Sequence, residues 1–344
     1  MTVHVGLIGA GNISETHARA LGAIRDVEIS AIYAPTRAHA EQLAARHGGR
    51  VCDTLERLLE HRPLDMVVVG SPSGLHAEHG IAAARSGRHV LVEKPIDITV
   101  ARADALVDEA ARAGVTLGVI FQDRLKPDVQ RMKALVDEGR LGAPILASAR
   151  VKWYRPPSYY SGSRWRGTQA LDGGGALMNQ GVHTVDVLLW LFGPVRRVFA
   201  KTVTALHDIE VEDTAVALLE FANGAVGTLE AATSAYPGYS RRIELTGANG
   251  TLVLDGDDLA AIDLQDAREG ERPNRPAGAT ASAASAVVAD SSAHRRVFED
   301  FIQAVAHRTP PCCDGASARL SVALIEAIYR SAHCDRPVDL CQED

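Results

Sequence analysis

Aromatic residues are scarce in this chain of 344 residues, at 5% of the total, with three Trp and six Phe. No apolar run exceeds strand length, which excludes a membrane-spanning helix as the organising element. Positive charge is not in excess. The 36 Lys and Arg against 43 Asp and Glu leave a formal net charge of −7 without a basic cluster, so nucleic acid is not the expected partner. Cysteine is limited to Cys52, Cys312, Cys313, Cys334 and Cys341, in no metal-ligand spacing, which fits reduced thiols and no bound metal. No charged-then-apolar leader is visible, because a glycine motif begins at Gly9, so a cytoplasmic location is expected. The length suits two domains of ordinary size.

What is present starts with strand–helix alternation. Val3–Ile8 is a short apolar run of the kind a buried parallel strand shows. Gly9-Ala10-Gly11-Asn12-Ile13-Ser14 follows, and helical character continues to Ile24. This is the context a dinucleotide fingerprint requires: Gly9 permits the turn, Gly11 lets the backbone approach a pyrophosphate at the positive helix end, and Asn12 and Ile13 complete it. Ser14, still small, stands at the third glycine position. Further strands are expected at Val27–Tyr33, Asp65–Gly70, His89–Val92 and Thr116–Ile120, with helices at Thr36–His47, His76–Ser86 and Thr99–Ala113. Such regularity means a doubly wound parallel sheet, which binds ligands beyond the carboxyl ends of its strands. Ser71-Pro72-Ser73 with His76, and Glu93-Lys94-Pro95, fall at such ends. Lys94 there can polarise a substrate oxygen or share a proton, the alternative being an ordinary surface lysine.

The second strand ends in Ala34-Pro35-Thr36-Arg37, where a carboxylate would mark the unphosphorylated nicotinamide cofactor. Ala34 occupies its place, and Thr36 and Arg37 follow, so the segment leans to NADP within an NAD(P) site. The alternative is a solvated Arg37 in a first helical turn.

The block Gly173 to Asp186 (GGGALMNQGVHTVD) carries the remaining chemistry. Its three glycines suit a tight turn that a ligand approaches closely. Asn179, His183 and Asp186 follow at spacings of four and three, which a helix stacks on one side. The bland reading is a core histidine satisfied by a hydrogen bond. Upstream, Tyr154, Arg155, Tyr159, Tyr160, Arg164, Trp165 and Arg166 concentrate aromatic and guanidinium groups suited to an anionic sugar, or to an oligomer contact.

Taken together, these segments resemble the Gfo/Idh/MocA family of nicotinamide-dependent oxidoreductases over nearly the whole chain. The resemblance implies a Rossmann domain and then an α/β domain with an open, mostly antiparallel sheet, a nicotinamide and a carbohydrate-like alcohol meeting between them. It matches Lys94 to the catalytic lysine, His183 to the proton-exchanging histidine and Glu93 to the residue nearing the nicotinamide ribose. Asn179 stands where many members have Asp; an amide orients a hydroxyl but is no base. Asp186 either positions the imidazole or anchors its helix. Tyr154, Tyr159, Tyr160, Trp165, Arg166, Asn179 and His183 would hold the substrate, and Gly9, Gly11, Asn12, Ile13, Ala34, Thr36, Arg37, Ser71, Pro72, Ser73, His76, Glu93 and Lys94 the cofactor.

Consecutive strand-like runs at Ala143–Trp153, Arg196–Ala205, Thr214–Phe221, Ala225–Ala232, Arg241–Gly247 and Thr251–Leu254 give the second sheet its antiparallel character. Residues 266–292, rich in Ala, Ser, Arg and Pro, are expected as a mobile loop, followed by helices at His294–Ala306 and about Gly315–Ala332 and a strand at Val338–Cys341. The expected domains are 1–123 and 124–344. The expected function is hydride transfer between NAD(P) and a secondary alcohol or ketone of a sugar, cyclitol or nucleotide sugar, by a homodimer or homotetramer joined through the second sheet. The alternatives are a regulator that binds without turnover, or redox-assisted glycoside cleavage.

Overall fold

The alternation in the first part of the chain folds into six parallel strands. β1 (Val3–Ile8), β2 (Val27–Tyr33), β3 (Arg50–Cys52), β4 (Met66–Val69), β5 (His89–Val92) and β6 (Leu117–Val119) lie in the order β3-β2-β1-β4-β5-β6. The order reverses between β1 and β4, where Leu7 pairs with Val68 and Ile8 with Val69. The carboxyl ends of these two strands therefore form the switch point of a doubly wound sheet. The helices α1 (Asn12–Gly22), α2 (Arg37–His47), α3 (Leu55–Leu59), α4 (His76–Arg85) and α5 (Val100–Ala113) connect the strands. Sequence sets their ends: Thr54 and Thr99 cap α3 and α5 through their hydroxyls, and Gly114 closes α5 in the left-handed region at φ 67°. β3, only three residues long, carries no periodic signal and was not expected.

The structure, a computed structural model, describes residues 2–266 and 291–340. These form two compact units, residues 2–125 with 291–319, and residues 126–266 with 320–340. The 291–319 segment joins the first unit because the Ser292–His307 helix drives Val297, Phe298 and Phe301 into a core shared with Val5, Leu7, Leu21, Leu43 and Leu91. Each buried Phe contributes roughly 1.5–3 kcal/mol. Residues 267–290, most of the expected loop, lie outside the described residues, as does Cys341. The other four cysteines are free thiols.

The second unit is built on eight strands: β7 (Pro144–Lys152), β8 (Val195–Val203), β9 (Thr214–Phe221), β10 (Val226–Ala232), β11 (Arg242–Gly247), β12 (Gly250–Asp255), β13 (Asp258–Leu264) and β14 (Val338–Asp339). Their order is β13-β12-β11-β7-β10-β9-β8-β14, antiparallel except for β7 beside β10. The expected pairing of a parallel sheet with a mostly antiparallel one is therefore present. Along β9, Ala215, Ala217, Leu219 and Phe221 are buried while Val216 and Leu218 are exposed, the alternation of a sheet with one covered face. The covered side of β7 and β11 carries the apolar Val182–Phe192 helix. That helix is shorter than the periodicity implied. The segment before it, Ala176–Gly181, is a π-helical turn, so Asn179 and His183 do not share one continuous α-helix.

Candidate active site

In the first unit the β1–α1 turn is shaped for close approach. Gly9 adopts φ 108°, and a Cβ there would stand 2.5 Å from the Gly70 carbonyl oxygen at the end of β4. Gly11, the N-cap of α1, supplies no side-chain cap, and a Cβ built on it meets nothing within 4 Å. Asn12 and Ile13 open the helix. The Ser14 hydroxyl, 1% exposed, has no hydrogen-bond partner. Uncapped amides, open space over Gly11 and an orphaned buried hydroxyl fit a pyrophosphate-bearing cofactor.

Arg37 opens α2 and is exposed. Its guanidinium donates to Glu41 Oε1 at 2.8 Å and also pairs with Asp53, just past β3. Ala34 is buried, and Thr36 caps α2 without a side-chain bond.

The strand-end loops are tied together by buried polar groups. His76 places Nδ1 2.7 Å from the Pro95 carbonyl and Nε2 2.8 Å from the Ser71 carbonyl; Ser71 Oγ meets His79 Nδ1 at 2.9 Å, and Ser73 starts a short 3₁₀ turn. Asp97, wholly buried, accepts from the Ala77 and Ile98 amides and from Arg102. Glu93 accepts from His17 Nε2 at 2.8 Å and from the Lys94 amide at 3.0 Å. Burial acts to raise its pKa, but the His17 bond and the charges of His17, His294 and Lys94 outweigh it and hold Glu93 down at about 2. The donor atoms of His17, Glu93 and His294 lie within 4.8 Å of one another. Both Glu93 oxygens are already engaged, so the cluster reads as a hydrogen-bonded support for the Glu93-Lys94 corner. His17 and His294 escaped sequence reasoning because each meets Glu93 from far along the chain, and Asp97 because its weight comes from complete burial.

In the second unit the aromatic and guanidinium stretch meets the glycine block. Asn179 Nδ2 donates to Asp172 Oδ1 at 2.5 Å, while its Oδ1 accepts from Gln180 at 2.7 Å and from Tyr159 at 3.4 Å. Gln180 also donates to the Tyr159 hydroxyl and accepts from Arg155, at 2.8 and 2.9 Å. Asp172, 1% exposed, thus brings a carboxylate beside the amide; its only sequence signal was its place just before the glycines. Arg166 lies over the Tyr159 ring at 4.3 Å, with Trp165 at 5.6 Å, and has no carboxylate partner among the described residues. Burial lowers the Arg155 pKa and raises that of Tyr159.

Not every expected residue joins this cluster. Tyr160 turns to the Thr233 hydroxyl at 2.8 Å and packs on His207, with burial pushing its pKa up to about 12. Tyr154 meets the Tyr236 ring edge-on at 5.2 Å, and Arg164 is exposed. Buried His207 bridges Asp213 and the Arg155 carbonyl, fixing the main chain at Arg155. His183, in the first turn of its helix, is half-buried; Asp186 is wholly buried and accepts from Ser321 at 3.4 Å, an anchor for that helix.

The glycines themselves are surrounded by protein. A Cβ on Gly174 would stand 2.1 Å from the Tyr329 hydroxyl, and one on Gly175 1.7 Å from the Glu212 carbonyl oxygen. The turn is close-packed by Glu212 and Tyr329 rather than left open.

Comparison with known proteins is consistent across both units. A model described as "Oxidoreductase family, NAD-binding Rossmann fold" matches residues 3–121, and one for the Gfo/Idh/MocA C-terminal domain matches residues 129–253. The chain is 27% identical to the myo-inositol 2-dehydrogenase of Thermotoga maritima, covering 98% of each chain. It is 30% identical to inositol 2-dehydrogenase 2 of Saccharopolyspora erythraea over 74% of each. Among solved structures, the WlbA dehydrogenase of Bordetella pertussis, in complex with NADH and UDP-GlcNAcA, superposes with a TM-score of 0.86, at 32% identity and full coverage of both chains. Among the described residues no helix is long and apolar enough to cross a membrane.

Proposed function

The chain belongs to the Gfo/Idh/MocA family of oxidoreductases, and within it we propose a dehydrogenase that moves hydride between NAD(H) and a secondary alcohol of an anionic, nucleotide-linked sugar. The observation that carries this reading is Arg166, a half-buried guanidinium seated on Tyr159 and Trp165 with no carboxylate to neutralise it. An Arg fork matches carboxylate or phosphate oxygens, and an aromatic face suits the apolar side of a sugar ring. The WlbA relative binds a nucleotide sugar of this chemistry.

Bound nicotinamide supplies the acceptor for the carbinol hydride. In this proposal Lys94 of the first unit and His183 of the second are the proton-exchanging groups, and Asn179, its amide oriented by Asp172, Gln180 and Tyr159, directs the substrate hydroxyl. Gly9, Gly11, Asn12, Ile13 and Ser14 would hold the cofactor pyrophosphate, and Glu93, held ionised, would accept from its nicotinamide ribose. The Ala34–Arg37 segment suggested NADP, but Arg37 already faces two carboxylates, which disfavour a 2′-phosphate; NAD(H) is the working cofactor of this proposal. The exposed apolar residues Leu146, Val216, Leu218 and Val226 on the outer sheet face support a homodimer through that face.

The test is turnover of UDP-linked uronic acids against neutral sugars and inositol, in wild type and single variants. Lys94→Ala and His183→Ala each lower kcat by about 10²–10⁴-fold with NADH affinity within a few-fold. Arg166→Ala raises KM for the anionic substrate and leaves oligomer size unchanged by light scattering. Equal turnover of neutral inositol, or dissociation of the assembly with KM unaltered, overturns the substrate assignment.

A further inference from the structure

Resting on the dehydrogenase reading above, we propose that Glu212 and Tyr329 are positioning residues that set the register of the π-helical turn bearing Asn179 and leading to His183. Three consecutive amides at the start of this turn are all satisfied by Glu212. The Gly175 amide donates to Oε2 at 2.9 Å, the Leu177 amide to Oε1 at 2.8 Å, and the intervening Ala176 amide to the Glu212 main-chain carbonyl at 2.9 Å. A helix start leaves such donors without intrahelical partners, and they are ordinarily capped by the residue just before. Gly175, the N-cap here, has no side chain to offer, so a residue from the strand side of the sheet does the capping.

Tyr329 completes the clamp. Its hydroxyl donates to Glu212 Oε1 at 3.0 Å, and Gly174 gives that hydroxyl its space. Glu212 is 8% exposed and has no Lys, Arg or His within ion-pair reach among the described residues. Two amides, one phenol and the positive helix end are what stabilise it. Burial acts on both side chains, raising the Glu212 and Tyr329 pKa values. The clamp therefore acts through geometry. Leu177, held directly by Glu212, lies two residues before Asn179, and the wide π turn hands its register on to the α-helix that begins at Val182. π turns of this kind recur at functional sites. A slip of that register would turn Asn179 away from Asp172 and Tyr159 and rotate His183 with it.

Tyr329→Phe is the decisive variant, because it keeps the ring and removes one hydrogen bond. Its kcat should fall about tenfold while KM for NAD stays within twofold, and hydrogen exchange should quicken in the peptide spanning residues 175–183 but not in residues 3–121. Independently of turnover, the His183 ring resonance in ¹³C-histidine-labelled protein, assigned with His183→Gln, should shift or broaden. Glu212→Gln, which turns an amide donor toward a backbone donor, should lose more than tenfold in kcat. An unchanged His183 resonance, or unchanged exchange, in folded Tyr329→Phe overturns the proposal. So does faster exchange with kcat intact, which would make the clamp structural only. Failure of the dehydrogenase reading shows separately, as wild-type protein that turns over none of the alcohols with NAD, while the exchange and His183 resonance readouts still report on the clamp.

Discussion

Two glycine turns in this chain look alike as sequence and exist for opposite reasons. At Gly11 the missing side chain leaves emptiness, since a Cβ there meets nothing within 4 Å, although Gly9 beside it is packed against the Gly70 carbonyl. At Gly174–Gly175 it makes room for protein, with Tyr329 and Glu212 occupying the space where each Cβ would be. A vacant turn is prepared for something from outside, whereas a filled one is a joint in the fold. Glycine richness alone does not separate a ligand cradle from a packing constraint; the partners of the vacated volume do.

The comparison breaks or holds on paired substitutions. Gly175→Ala should have the largest effect, because the new atom would overlap a main-chain carbonyl that cannot move aside; insoluble protein or a Tm lower by more than about 10 °C is expected. Gly11→Ala should cost about 1 kcal/mol or less in stability, yet weaken NADH binding by about tenfold or more in fluorescence titration. Comparable melting losses in the two variants would dissolve the distinction.

The next contrast is between the buried carboxylates that stand behind each region. Glu93 is held at about 2, below its ordinary 4.5, by its histidine neighbours. Its stabilisation is complete above the unfolded pKa and fades as pH falls from about 4.5 toward 2, worth about 3 kcal/mol in all. Glu212 has no such cation and is raised instead, so it contributes nothing that acid removes. His17→Gln should therefore lose less stability than wild type between pH 6 and pH 3 in thermal melts. A parallel pH dependence of the two proteins would mean that Glu93 does not owe its ionisation to His17.

Much of the first unit was legible because a buried parallel strand needs nothing beyond a bounded apolar run, and β1, β4 and β5 are such runs. The second sheet was legible through consecutive strand-like runs with no helix between most of them. β13 was not, since the Asp residues in DLAAIDL mask its alternation. The π turn could not be read at all: its cause is Glu212, which lies 35 residues from Leu177. Lys94 and His183 carried a motif, whereas Asp172, Glu212, Asp97 and His17 are ordinary residues whose burial and partners give them weight. Arg37 shows the converse, a residue whose type suggested a phosphate and whose neighbours are Glu41 and Asp53.

The smallest expected effect tests that last point. Arg37→Ala should change the ratio of NADPH to NADH affinity by less than about threefold, because the guanidinium is already engaged. An NADPH preference of tenfold or more that this variant abolishes would restore the phosphate reading and sharpen what separates a committed arginine from an available one.

The return of residues 291–319 to the first unit has a consequence for how the protein is made. During synthesis the parallel sheet emerges early, but Phe298 and Phe301, which complete its core, leave the ribosome only after seven of the eight strands of the second sheet have been translated. Until then the nascent chain displays an unfinished apolar surface around Leu21 and Leu43, the kind of surface that holding chaperones recognise. Cotranslational folding therefore cannot proceed strictly from the amino terminus. Fragments ending near residue 125 should be recovered only with a chaperone or as aggregates, whereas one that splices the 291–319 segment directly onto that fragment should fold on release.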